Sequence, residues 1–136
     1  MSRKRVLVAD DNDGNRELAR QVLVDGFDVL LAPDGVAALE QVRRERPDLV
    51  LLDLSMPRMN GWDVARALKA DPATREISLV ACTAHAMSGD RERALAVGFD
   101  GYLAKPYRPR ELVSCVEDFL GPGVPDPGSS EEWTVS

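Results

Sequence analysis

Leu49-Val50-Leu51-Leu52-Asp53-Leu54-Ser55-Met56-Pro57 sets four aliphatic residues in an unbroken run and then delivers a carboxylate. A run without alternation predicts a strand buried on both faces, as in a parallel sheet covered by helices. Working outward, Val6–Ala9, Leu79–Cys82 and Tyr102–Ala104 have the same form, and Phe27–Ala32 is a fifth, weaker run. The segments between them change to helical spacing. Leu18, Val22 and Leu23 make one stripe, Val64 and Leu68 another, and Leu112, Cys115, Val116 and Phe119 recur at i, i+3, i+4 and i+7. Punctuation agrees. Asp34 before Gly35 predicts a cap for the second helix and Pro47 its end. Gly61 predicts the start of the third helix and Asp71-Pro72 its end. Ser88 suits the cap of the fourth, Gly98 its stop, and Pro109 the first turn of the fifth.

The predicted order is βα repeated five times, an α/β fold with a parallel sheet between helical layers. Right-handed crossovers bring the carboxyl ends of all strands to one edge, where open α/β sheets bind ligands. The first strand ends in Asp10-Asp11, the third in Asp53, the fourth in Thr83 and the fifth in Lys105-Pro106. Alone, each has an ordinary explanation: a solvated loop carboxylate, a hydroxyl bonded to nearby backbone, a surface amine. Together they are harder to dismiss. Two unit charges 4 Å apart interact by ~4 kcal/mol at an effective dielectric of 20, so converging carboxylates call for a cation. A hard ion with oxygen ligands answers that, and Mg²⁺ suits a few carboxylates plus water and phosphate oxygens. With the Lys105 amine and the Thr83 hydroxyl, the edge is equipped for phosphoryl transfer to Asp53.

Asp10-Asp11, the stretch from Asp53 to Gly61, Thr83-Ala84 and Lys105-Pro106 resemble the receiver domain of two-component response regulators, the CheY-like superfamily, over residues 3–120. The resemblance implies a flavodoxin-like (βα)5 sandwich with strand order 2-1-3-4-5. It implies that Asp53 is the phosphoacceptor, with Thr83 and Lys105 bonding phosphoryl oxygens. It implies Mg²⁺ held by Asp11, Asp53 and the backbone carbonyl of Ser55, with Asp10 acting through water. Tyr102 takes the position of an aromatic that swings with Thr83 and couples the site to the face of helix 4, strand 5 and helix 5; otherwise it is an ordinary strand aromatic. The Lys105-Pro106 peptide is implied to be cis. His85 and Ser55 stand at positions that tune the lifetime of the phosphoryl group, His85 either as a base or metal ligand or as a residue bordering the site. The stretch Thr83–Asp90 is similar to receivers of hybrid kinases and of single-domain cell-cycle regulators more than to those of transcription factors.

The chain has 136 residues, 44% hydrophobic and 29% charged, with a net charge of -6. This fits one receiver domain, residues 1–120, followed by a flexible Pro/Gly/Ser-rich tail, 121–136, in which Trp133 is read as a solvated tail tip in preference to a docking side chain. Residues 1–120 carry -3, which argues against direct DNA binding. No apolar run approaches a membrane span or the core of a signal peptide, so the expected setting is the cytoplasm. Cys82 and Cys115 lie far apart in apolar contexts and are expected to be buried core thiols, not metal ligands.

The expected partners are a histidine kinase, a histidine phosphotransfer protein, or both, with a further protein downstream. A monomer or a weak phosphorylation-dependent dimer is expected. The domain is expected to take part in its own phosphotransfer and dephosphorylation without being a conventional enzyme. A metal-dependent aspartyl-phosphate phosphatase is disfavoured because Ser55 stands where its second Asp belongs. A nucleotide-binding protein is disfavoured by the lack of a Gly-rich loop after the first strand. The alternative is a scaffold that binds partners without phosphorylation, for which the five polar residues at the edge have no use.

Overall fold

The computed structural model describes residues 3–84 and 89–124. The elements follow in strict alternation: β1 (Arg5–Ala9), α1 (Asp13–Leu23), β2 (Asp28–Ala32), α2 (Gly35–Glu45), β3 (Leu49–Asp53), α3 (Gly61–Ala70), β4 (Ser78–Thr83), α4 (Asp90–Val97), β5 (Gly101–Ala104) and α5 (Pro109–Leu120). The strands form one parallel sheet in the order β2-β1-β3-β4-β5, as expected for the flavodoxin-like fold.

The unbroken aliphatic runs are explained by two core clusters, one on each face. Leu7, Val50, Leu52, Leu79 and Ala81 point to the side of α2, α3 and α4, where they meet Val42, Val64, Leu68, Ala94 and Phe99. Val6, Val8, Leu49, Leu51, Val80 and Cys82 point to the side of α1 and α5, where they meet Ala19, Leu23, Leu112 and Val116. Alternate residues of one strand therefore serve opposite cores.

The helix boundaries have local causes. Asp34, Asn12 and Asn60 each accept a backbone N–H in the first turn of the helix they cap, at 2.8, 2.9 and 3.0 Å. Arg46 ends α2 in the left-handed region, with Pro47 behind it. Pro109 opens α5, and Glu111 Oε1 accepts the Arg108 N–H at 2.6 Å.

Several expectations need correction. β5 is an edge strand and only half-buried, because a single neighbour and a short span leave its margin open. Leu18 is exposed; the buried stripe of α1 runs through Ala19 and Leu23, one residue round the helix. Cys82 is a core thiol, but Cys115 is only partly buried on α5. The N-cap position of α4 is Gly89, and Ser88 lies outside the described residues. The stretch after α5 is not free at its start. Val124 donates its N–H to Gly26 O at 2.9 Å, and a Cβ on Gly123 would stand 2.7 Å from Gly26 Cα. Residues 125–136, Trp133 among them, lie outside the described residues.

Candidate functional site

Sheet register alone assembles the site. Ala9 pairs with Leu52, so Asp10 follows beside Asp53; Thr83 pairs with Ala104, so Lys105 follows beside it. Asp53 itself is paired with Cys82, one residue before Thr83. Asp10, Asp53 and Thr83 are all buried, at 3%, 7% and 3% exposure. Asp11 is exposed at the mouth.

The loop after β3 is shaped around Asp53. Ser55 N–H donates to Asp53 Oδ1 at 3.0 Å, and Leu54 N–H continues the ladder to Cys82 O at 3.0 Å. α3 then starts hard against this loop: a Cβ on Gly61 would lie 2.5 Å from Asp53 O and 3.0 Å from Leu54 Cα. Only glycine permits that approach.

Lys105 joins the two buried acids. Its amine donates to Asp10 Oδ2 at 2.5 Å and to Asp53 Oδ2 at 3.3 Å. Asp10 Oδ1 is occupied as well, by the Asn12 N–H at 2.9 Å. Both oxygens of Asp10 are thus engaged within the protein. Burial raises the Asp53 carboxyl above its ordinary range and the charge of Asp10 adds to this; the Ser55 N–H and Lys105 oppose it without prevailing. Burial pulls the Lys105 amine down, but the carboxylates of Asp10 and Asp53 outweigh it and hold the amine above its ordinary value.

Asp10, Asp11 and Asp53 each offer an oxygen within 4.8 Å of the others. Three hard oxygen donors, one of them facing solvent, fit a divalent cation that keeps waters of its own. The donor set suits Mg²⁺ better than a soft metal, since no thiolate or imidazole of the described residues joins it.

Of the residues singled out in the sequence, Asp10, Asp11, Asp53, Ser55, Thr83 and Lys105 come together at this edge. The Lys105-Pro106 peptide is cis. Tyr102 stands apart on β5, packed against the α4-side core. Its hydroxyl is buried with no hydrogen-bond partner among the described residues. It lines a groove of about 560 Å³ with Arg91, Leu103, Arg110 and Ser114, between α4 and α5. His85 lies outside the described residues.

Two features escaped the sequence reading. Arg16 reaches back from α1 to donate to Asp10 O at 2.6 Å. A largely apolar groove of about 290 Å³ beside Lys105 is lined by Asn15, Leu18, Ala84, Pro106 and Tyr107. The exposure of Leu18 has a place there, because it forms a wall of that groove. Burial pushes the Tyr107 hydroxyl up to about 12.

Comparison with known proteins agrees with the geometry. The family model for the response regulator receiver domain matches residues 6–117. The polar-differentiation response regulator DivK of Brucella anthropi is 34% identical over 119 residues, which is 87% of this chain and 97% of that protein. The chemotaxis protein CheY4 of Vibrio cholerae superposes with a TM-score of 0.82 at 28% identity, over 88% of this chain and 100% of that one. The receiver domain of a sensor histidine kinase from Pseudomonas aeruginosa superposes with a TM-score of 0.80 at 32% identity, over 88% of this chain and 99% of that one; in that structure a magnesium ion is coordinated in the active site cleft. On sequence, fold and the assembled edge alike, this chain belongs to the response regulator receiver domain family of two-component signalling.

Proposed function

We propose that Asp53 accepts a phosphoryl group from the phosphohistidine of a histidine kinase or histidine phosphotransfer protein, and that the phosphorylated domain signals through altered protein contacts. The observation that carries this is the environment of Asp53. One carboxylate oxygen is fixed by the Ser55 N–H and the other lies beside the Lys105 amine, with Asp10 and Asp11 within 4.8 Å.

In the transfer, an Asp53 oxygen forms the P–O bond as the P–N bond to the donor imidazole breaks. The imidazole leaves with the electron pair of that bond. A carboxylate whose charge is disfavoured by burial is a stronger nucleophile than a solvated one. Ser55 fixes the orientation of Asp53, so attack starts from a held geometry. The Lys105 amine takes up a phosphoryl oxygen, and the Thr83 hydroxyl bonds another. Asp11, Asp53 and the Ser55 carbonyl would hold Mg²⁺, with Asp10 acting through water. When bound, the ion offsets charge on the transferring oxygens. The groove lined by Leu18, Pro106 and Tyr107 borders Lys105 and gives the donor an apolar seat beside that amine.

The response is a population shift. Thr83 leads into the segment before α4, and α4 is thinly packed, with Ala94 its only buried residue. Movement there reaches Tyr102 and the groove between α4 and α5. The domain acts in its own transfer and hydrolysis and has no separate small-molecule substrate.

Phosphotransfer profiling against histidine kinases and phosphotransfer proteins tests the assignment. Label is expected on the wild-type chain in the presence of Mg²⁺ and absent from Asp53→Asn. Equal labelling of the two proteins would sink it.

A further inference from the structure

We infer that Arg16 is a positioning residue of the cation site, aiming Asp11 by holding the peptide that joins it to Asp10. This rests on the reading of Asp10, Asp11 and Asp53 as the Mg²⁺ site. The Asp10 N–H makes the bond of β1 to Ala32 O, at 3.1 Å. Beyond that point the chain must turn into α1 while presenting Asp11 to the site. Among the described residues, no hydrogen bond or ion pair fixes the Asp11 carboxylate, which is exposed. Its aim therefore comes from the backbone.

Three contacts shape this turn. Asn12 N–H is bonded to Asp10 Oδ1 at 2.9 Å, Asn15 N–H to Asn12 Oδ1 at 2.9 Å, and the Arg16 guanidinium to Asp10 O at 2.6 Å. Only the last acts on the Asp10–Asp11 peptide itself. The Arg16 side chain is 15% exposed and so largely ordered by its surroundings. Its second arm is bonded to Asp13 Oδ1 in the first turn of α1. The fork thus ties the end of β1 to the start of α1, a geometry that a guanidinium reaches and an ammonium does not. Partners that orient ligands without touching the ion commonly change metal affinity by 10- to 100-fold when removed, roughly.

Charge and positioning predict opposite signs here, which makes the inference testable. A guanidinium near the site repels Mg²⁺. If Arg16 were only a charge, its removal would tighten Mg²⁺ binding. If it aims Asp11, removal weakens binding despite the lost repulsion.

The experiment is calorimetric titration of the full chain with MgCl₂, for wild type, Arg16→Ala and Arg16→Lys, with metal-free thermal melts alongside. Arg16→Ala is expected to weaken Mg²⁺ binding about tenfold. Arg16→Lys, which keeps the charge and loses the fork, is expected to weaken binding at least as much. Affinity in Arg16→Ala equal to or tighter than wild type overturns the inference. If Arg16→Ala does not fold, wild-type affinity in Arg16→Lys overturns it alone. Wild-type protein that takes up no Mg²⁺ overturns the metal site as well, an outcome separable from failure of Arg16. Phosphate on Asp53 is not the readout, so a lack of phosphotransfer leaves the result intact.

Discussion

Asp53 carries its charge against the preference of the fold, and Lys105 carries its own in accord with it. The sign of each shift fixes what removal does. An acid whose pKa is raised on folding lowers stability as pH rises through the ordinary carboxylate range, and the penalty is complete above the folded value. Asp53→Asn should therefore melt a few degrees higher than wild type at neutral pH without metal. That gap should narrow as pH falls toward the ordinary carboxylate range, and Mg²⁺ should raise the wild type toward the variant. A lysine raised on folding contributes stability below its ordinary pKa, lost as pH climbs through the folded value. Lys105→Ala leaves Asp10 and Asp53 without their shared donor and should lose roughly 1–3 kcal/mol at neutral pH. Melts of the two variants in chelator-treated buffer check both; movement in the same direction would refute the pairing. At this scale the sequence was readable where a strand end delivers a side chain directly: Asp10, Asp53, Thr83 and Lys105. Arg16 was not readable, since its role depends on a side chain folding back over a turn whose path no periodicity reports.

Helix 4 is the element whose hold on the sheet is weakest. Ala94 is its only buried residue, and Leu95 is exposed at 52%. Val97 packs partly buried against the same core, and a further attachment is aromatic. The Arg93 guanidinium lies 4.3 Å over the Trp62 ring of α3, and Trp62 meets Phe99 edge-on with centroids 5.9 Å apart. A cation–π contact at an exposed site is worth about 0.5–1 kcal/mol. Arg93→Ala should speed amide exchange in α4 about two- to fivefold, the factor that energy implies, and leave α5 unchanged. Hydrogen-exchange mass spectrometry resolves this, and protection of α4 unchanged by Arg93→Ala would show that the ring contact holds nothing. The sequence made α4 legible as a helix through composition and Gly98, while its start lay at Gly89 in the left-handed region, where no side-chain cap marks it. Stripes were legible where the apolar set was rich, as in α5. They misled in α1, where Leu18 serves a surface groove and the small Ala19 serves the core.

Across the whole molecule the functional edge and the fastening of the chain ends lie on opposite sides of the sheet. Strand carboxyl ends carry Asp10, Asp53 and Lys105. The amino ends carry Arg3, which donates to Asp28 Oδ1 at 2.9 Å, Val24 O at 2.5 Å, Phe27 O at 2.8 Å and Val124 O at 2.8 Å. One guanidinium thereby ties the start of the chain, the α1–β2 turn and the residues after α5. Gly26 and Gly123 face each other there with no room for a side chain on either. Composition alone reads 121–124 as the start of a loose tail, because a Gly/Pro stretch buries no side chain; its contacts are made through its own backbone, which hydropathy does not register. Removing residues 122–136 should strip Arg3 of one acceptor and Gly26 O of its donor, lowering stability by about 1–2 kcal/mol, roughly one to two net hydrogen bonds. Arg3→Ala should destabilise more, since it also frees Val24 O and Phe27 O. The double variant should fall short of the sum, as the two share the Val124 contact. Denaturant melts give all three values. Phosphoryl transfer to Asp53 should proceed at the wild-type rate in the truncated chain, because every residue proposed to act in it stands at the far edge of the sheet. A truncation that left stability untouched would mean the strap is incidental; one that slowed transfer would refute the separation of the two edges.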